Sequence, residues 1–286
     1  IPHYAFNFKE SFEKEVISDF INEYINGRTP NPCIECNRKI KFDKMLRRAE
    51  TLGYDKIATG HYARVKRAEN GRYLLCRPTD INKDQTYVLY SMTQEELSKT
   101  LFPLGDLTKP QVREIAEKHG FVNATKPDSQ DICFVPDGDY AGFIERATGK
   151  TAAAGDFTDE NGNRLGEHKG IIRYTIGQRK GLGIALGKPR FVIEKNAENN
   201  TVILGDEDRL FCRKVLVDRL NFIPFDTLEN EMRYRHLAQP AVIKPDGDKV
   251  IIEFDEPQRA PSPGQAAVFY DGDAVVGGGT IVKGWN

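Results

Sequence analysis

The spacing of apolar residues changes once along this chain, near residue 150, from helical to strand-like, and one uniform architecture cannot bury both patterns. Before the change, Phe12, Val16, Phe20, Ile21 and Tyr24 recur at helical spacing between Glu10 and Ile25. Phe42, Met45, Leu46, Ala49 and Leu52 do the same from Lys41 onward, and Gly53 closes the run. Lys56 to Thr59 reads as a short strand ending at Gly60, and Lys109 to His119 as a helix opened by Pro110 and stopped by Gly120. Ile1 to Phe8 reads as a strand with its exit. Strand, helix, helix, strand predicts an α/β class with a parallel sheet and crossover helices.

Beyond the change, Thr151 to Gly187 is rich in glycine and has no long helical stretch. Arg190 to Leu204 reads as a hairpin turning at Glu198 to Asn200. Short strands then follow at Val215 to Leu220, Met232 to Tyr234, Ala241 to Ile243, Val250 to Phe254, Gln265 to Tyr270 and Ala274 to Val276, separated by turn formers such as Pro245-Asp246-Gly247. This cadence predicts a small central β-rich domain and a C-terminal β-barrel. At 286 residues more than one domain is expected, with divisions at 1–140, 141–207 and 208–286.

Lys+Arg and Asp+Glu nearly cancel, 41 against 42, so a nucleic-acid surface would have to be a local concentration of charge. Five cysteines, an odd number spread over a chain too large to need disulfide staples, suit a reducing compartment. No apolar run is long enough for a bilayer and no signal-peptide pattern opens the chain, so a cytoplasmic location is expected.

Two cysteine-bearing segments carry the chemistry. In Arg28-Thr29-Pro30-Asn31-Pro32-Cys33-Ile34-Glu35-Cys36-Asn37, two prolines point to an extended loop, and Asn37 is placed to cap a helix starting near Lys41. A thiol near a helix start is expected to have a depressed pKa. The second segment is Lys126-Pro127-Asp128-Ser129-Gln130-Asp131-Ile132-Cys133-Phe134. Half of a structural zinc site is one reading of Cys33 and Cys36, although no second pair lies at finger or ribbon spacing. A thioredoxin-type redox pair is another, but such a pair normally places its partner cysteine inside a helix. Cys33, Cys36 and Cys133 together are also a donor set for a [4Fe-4S] cluster with one open iron. Cys76 and Cys212 read as packed strand thiols.

Six ordered strings are specific. They are Gly27 to Pro32 with Cys36-Asn37, Ala58-Thr59-Gly60-His61-Tyr62, Asn82-Lys83-Asp84-Gln85-Thr86-Tyr87, Ile132-Cys133-Phe134, Tyr174 to Gly183, and Pro263-Gly264-Gln265. In order and spacing they resemble the bacterial tRNA-specific 2-thiouridylases over the whole chain. The resemblance implies an α/β remainder of the adenine nucleotide alpha-hydrolase type, ATP with Mg2+, adenylation of the C2 oxygen of the wobble uridine, and displacement of AMP by sulfur. It implies Cys133 as the persulfide carrier and Cys36 as the other catalytic cysteine. Cys33 stands where some relatives carry aspartate, a departure that keeps the acid/base and cluster-ligand roles both open. Gly60 resembles the nucleotide-contacting glycine, where a missing side chain permits close approach. Asn31, Pro32, Cys33, His61, Lys83, Asp84, Gln85 and Gln265 resemble tRNA-contacting positions. Arg233 and Tyr234 offer charge beside an aromatic platform for an unstacked anticodon base, and the basic, glycine-rich stretch Gly177 to Gly183 suits a phosphate backbone. Simple turns, solvated loops and an alternating strand are the bland readings of these positions. The implied partners are the tRNA anticodon stem-loop and a cysteine desulfurase or sulfur-carrier protein. Nothing matches the family's Ser-Gly-Gly-x-Asp-Ser loop, so an N-terminal stretch is expected to lie outside this chain, which alone is expected not to adenylate uridine. A non-catalytic tRNA-binding module is the rival reading.

Overall fold

A computed structural model describes residues 2–126, 131–228, 232–236 and 238–286, with backbone only for 232–236 and 238. Residues 2–8 form no regular element, against the opening strand expected there, and no neighbouring strand among the described residues takes up their backbone groups. The first helix, α1 (residues 9–25), follows the apolar spacing of its sequence and has a wider π-type turn over Glu13–Ile17. Helix α2 (residues 32–51) starts nine residues before the expected Lys41, and the stretch Cys36–Lys44 is wound in the π register. The reason is local. Asn31, not Asn37, is the N-cap, its side chain accepting the Cys33 amide, and Pro32 needs no hydrogen-bond partner in the first turn.

Strand β1 (Ile57–Ala58) pairs in parallel with β4 (Thr100–Leu101), the parallel pairing that the first half of the sequence predicts, on a small scale. Between them lie β2 (Arg64–Arg67), β3 (Tyr73–Cys76) and α3 (Gln94–Ser98). The expected later helix is α4 (Lys109–Lys118), and α5 (Tyr140–Thr148) follows it, capped by Asp139 and ended by Gly149 in the left-handed region.

The central unit is a sheet in the order β6-β5-β8-β7, made of β5 (Gly155–Thr158), β6 (Arg164–His168), β7 (Phe191–Asn196) and β8 (Thr201–Gly205). The last two are the predicted hairpin. Its core also takes Phe20 and Tyr24 from α1 and Ala141 and Ile144 from α5. Strands β9 (Phe211–Phe222), β10 (Met232–His236), β11 (Ala238–Asp246), β12 (Lys249–Arg259), β13 (Ala266–Asp271) and β14 (Ala274–Trp285) form the C-terminal sheet. Among the described residues that sheet runs β10-β11-β12-β9-β14-β3-β2, with β13 also on β14. The hairpin β2–β3 therefore leaves the α/β half and pairs with the barrel, Leu75 facing Val275. Cys76 and Cys212 are buried in β3 and β9, as their apolar neighbours predict. No helix among the described residues is long and apolar enough to cross a membrane.

Candidate active site at the start of helix α2

Cys33 and Cys36 lie in the first turns of α2, and Cys133 lies in the loop ahead of α5. These two places are joined by aromatic packing. Phe134, next to Cys133, meets the Phe20 ring edge-on at 5.3 Å, Phe12 at 5.7 Å and Phe143 at 5.3 Å, which fixes the Cys133 loop against α1 and α5. Asp131 adds to this by accepting from the Tyr140 hydroxyl and from the Ile132 amide. Helix α1 is in turn tied to α2 by the Glu15 to Lys44 ion pair at 2.8 Å. All five cysteines are free thiols, with Cys33 and Cys133 exposed and Cys36 half-buried. Through these contacts the Cys133 loop is linked to the start of α2, and negative charge on Cys133 acts to raise the pKa of both Cys33 and Cys36.

The depressed thiol pKa expected from the helix start is not found. Partial burial pushes the Cys33 thiol up, charge on Cys133 adds to the rise, and Lys41 opposes it. The Cys36 thiol is likewise raised by burial first, with Lys41 opposing. Desolvation outweighs the nearby cation, so both are protonated near neutral pH. Lys41 acts on both thiols electrostatically, and the sequence does not single it out. It stands five residues after Cys36, and only the π register, invisible to apolar spacing, turns positions i and i+5 toward one another. Replacing Lys41 with methionine is expected to raise both thiol pKa values further, read as slower iodoacetamide alkylation at pH 8 and a pH–rate curve displaced to higher pH. An unmoved curve would remove Lys41 from the site.

His61, for which the motif suggests an RNA contact, is 8% exposed and packed between the rings of Phe42 and Phe102. Its Nδ1 meets the Thr59 hydroxyl at 2.8 Å and its Nε2 the Lys41 ammonium at 3.5 Å. A lysine ammonium only donates, so Nε2 accepts and Nδ1–H donates to Thr59. Burial first, and Lys41 second, hold its pKa down at about 4, against an ordinary 6.5. Between those values the unfolded chain binds a proton that the folded one refuses. Stability is therefore expected to fall as pH drops from 6.5 toward 4, by up to about 3 kcal/mol from this residue. Urea midpoints across that range should show the slope reduced in His61→Gln.

Gly60 is exposed two residues beyond the end of β1, and a side chain added there would approach only Leu104, at 3.8 Å. The space above it is open to a ligand, at the carboxyl end of a parallel strand, where α/β sheets bind nucleotides. In the loop Asn82 to Tyr87, Asn82 is exposed and the side chains that follow are partly tied into the protein. The Asp84 carboxylate accepts from the Thr86 amide and hydroxyl and pairs with Arg77, which stacks on Tyr270 at 4.1 Å. The Gln85 side-chain oxygen accepts the Tyr62 amide at 2.8 Å, so both polar groups are engaged inside the protein. Lys83 is half-buried. Arg233 and Tyr234 sit in β10 opposite Val242 and Ala241, and their side chains lie outside the described residues. Arg179 and Lys180 are exposed, and Arg179, Gly181 and Gly183 line a shallow cavity of about 390 Å³. Gln265 donates to the Thr29 carbonyl at 2.8 Å, which joins the barrel to the loop before Asn31.

Among the described residues no trio of Cys, His, Asp and Glu side chains is arranged to hold an ion, so the three thiols as they stand do not fit a zinc ion or an iron-sulfur cluster.

Residues 1–137 match the family described as the tRNA methyl transferase HUP domain, 141–206 its PRC-barrel domain, and 216–281 the aminomethyltransferase beta-barrel domain. The tRNA-specific 2-thiouridylase MnmA of Lachnoclostridium phytofermentans is 52% identical over 290 residues, covering 99% of this chain and 81% of that protein. Its counterpart in Acetivibrio thermocellus is 55% identical over 289 residues, covering 98% of this chain and 80% of the relative. In Clostridioides difficile the figures are 52% over 291 residues, 99% and 81%.

Proposed function

This chain belongs to the tRNA-specific 2-thiouridylase family, and on that premise we propose that it replaces the C2 oxygen of the tRNA wobble uridine with sulfur carried on Cys133. The observation that carries the reading is that Cys33 and Cys36 open α2 while an exposed Cys133, from a distant segment of the sequence, lies in a loop packed through Phe134 on α1, which the Glu15 to Lys44 ion pair ties to α2. A carbonyl oxygen is a poor leaving group, so ATP supplies the activation by adenylating it, with Mg2+ accompanying the phosphates. The open face over Gly60 is where we place the nucleotide. Exposure of Cys133 suits loading as a persulfide by a cysteine desulfurase or a sulfur-carrier protein. The persulfide's terminal sulfur then attacks C2 and AMP leaves, giving a C2–S–S–Cys133 adduct. Cys36, once deprotonated, attacks the Cys133 sulfur, breaks the S–S bond and releases 2-thiouridine, leaving a Cys36 to Cys133 disulfide. An external dithiol returns the two electrons. In this reading the segment Asn31, Pro32 and Cys33, of which Cys33 is exposed and Pro32 buried, lies next to the target base, and the exposed Arg179 and Lys180 follow the phosphate backbone.

The test is nucleoside mass spectrometry of tRNA after anaerobic reaction of the full-length protein with ATP, Mg2+, a cysteine desulfurase with cysteine as sulfur donor, and a dithiol, with iron measured on the same preparation. Formation of 2-thiouridine by iron-free protein is expected. Activity that rises and falls with bound iron would overturn the persulfide route, and no 2-thiouridine under any condition would overturn the function.

A further inference from the structure

The loop that delivers the chain from α1 to α2 is held from outside by the barrel. Arg28 closes α1 by donating its amide to the Glu23 carbonyl. The next peptide, at Thr29, is gripped at both ends: its N–H donates to the Pro263 carbonyl at 2.8 Å, and its carbonyl accepts from the Gln265 side-chain amide at 2.8 Å. The gripping turn is itself pinned to β14, with Gly264 N–H donating to the Ile281 carbonyl and Ile281 N–H to the Gln265 carbonyl. Contact is close enough that a side chain on Gly264, whose φ is +90°, would stand 2.9 Å from the Thr29 nitrogen. A second tie lies beside it. The buried Glu23 carboxylate pairs with Arg28 and, at 3.4 Å, with Arg219 of β9. Two residues beyond Thr29 stands Asn31, the cap that starts α2 and sets its first turn, where Cys33 and Cys36 lie.

We infer that Gln265 is a positioning residue for sulfur transfer: through the Thr29 carbonyl, the barrel sets where the Cys33 and Cys36 thiols stand relative to Cys133. Cys133 has an anchor of its own, Phe134 against α1 and α5, which the Gln265 to Thr29 contact does not touch, so loss of that contact shifts the start of α2 relative to Cys133. The tRNA contact that the motif suggests for Gln265 is the competing role, and the two differ in what they disturb. Only the kinetic consequence rests on the thiolation reading; the spacing of the thiols is measurable without RNA or ATP.

The experiment compares the wild-type full-length protein with Gln265→Met, which keeps the length of the side chain and removes its donor, and Gln265→Glu, which replaces the donor with an acceptor. Diamide takes two hydrogens from a thiol pair, and the rate at which it forms the Cys36 to Cys133 disulfide is followed by peptide mass spectrometry without tRNA. Both variants are expected to form it about tenfold more slowly, because small displacements weigh heavily on a reaction between fixed groups. The thermal melt and tRNA affinity should stay close to wild type, and kcat should fall with KM unchanged. Unchanged disulfide formation with weakened tRNA binding would make Gln265 an RNA contact and overturn the inference. Unchanged values throughout, or a lowered melt with all readouts declining together, would overturn it as well.

Discussion

Cys133→Ser and Cys36→Ser are each expected to lower 2-thiouridine formation by about a thousandfold or more while tRNA affinity stays within about twofold, since each removes a bond-forming sulfur and neither removes bulk. The two should fail differently. Cys133→Ser has no sulfur to load, so a radiolabelled persulfide should be missing after incubation with a desulfurase. Cys36→Ser should load normally and stall after attack, accumulating protein linked to tRNA through Cys133. This asymmetry follows from the separate chemical roles proposed for the two thiols, with Cys133 exposed for loading and Cys36 half-buried. Retention of full activity by Cys36→Ser would mean that an external thiol releases the product. Loss of tRNA binding in either variant would point instead to a thiol that shapes the RNA site.

The second large effect is expected on stability. Phe20 is 1% exposed and touches Phe134, Tyr24, Tyr140 and Phe143, so its ring joins α1, α5 and the Cys133 loop in the central core. Phe20→Ala is expected to cost about 3 to 5 kcal/mol, the transfer of a buried ring plus the cavity it leaves. The urea midpoint of the unmodified thiol form should fall accordingly, and the diamide-driven Cys36 to Cys133 disulfide should form more slowly in the fraction still folded. A shift under about 1 kcal/mol would mean that the core closes over the gap and that Phe20 is not the anchor of the loop. Thiol pairing at the wild-type rate in a destabilised variant would show that the loop is placed by other contacts.

The two experiments bear on one architectural point. The reactive thiols are not held by a single domain: one anchor runs through Phe20 into the central unit, the other through Thr29 into the barrel. The hairpin β2–β3 completes the link by adding the α/β half to the barrel sheet at Leu75 and Val275. Divisions at 140 and 207 separate stretches of sequence with different apolar periods, but α1 packs in the central core and Ile223 and Val275 pack in the core of the α/β half.

The sequence by itself determined the class and order of the elements, because apolar period and turn chemistry are local properties: α1, α4, the β7–β8 hairpin and the strands of the barrel all stand where their spacing puts them. It also determined the family, since six motifs in fixed order survive without reference to the fold. Local reasoning fails at the start of α2. The apolar run from Lys41 points to Asn37 as its cap, whereas Asn31 and Pro32 start the helix and leave Asn37 buried, its amide donating to the Val88 carbonyl. Tertiary structure alone decided the electrostatics and the contacts of the site. Burial turned the thiol pKa values upward against the helix start, a π register brought Lys41 to bear on Cys36, and packing against Phe42 and Phe102 withdrew His61 from solvent. Each of these depends on what lies across the fold, and desolvation and long-range hydrogen bonds such as Gln265 to Thr29 have no counterpart in the neighbouring sequence.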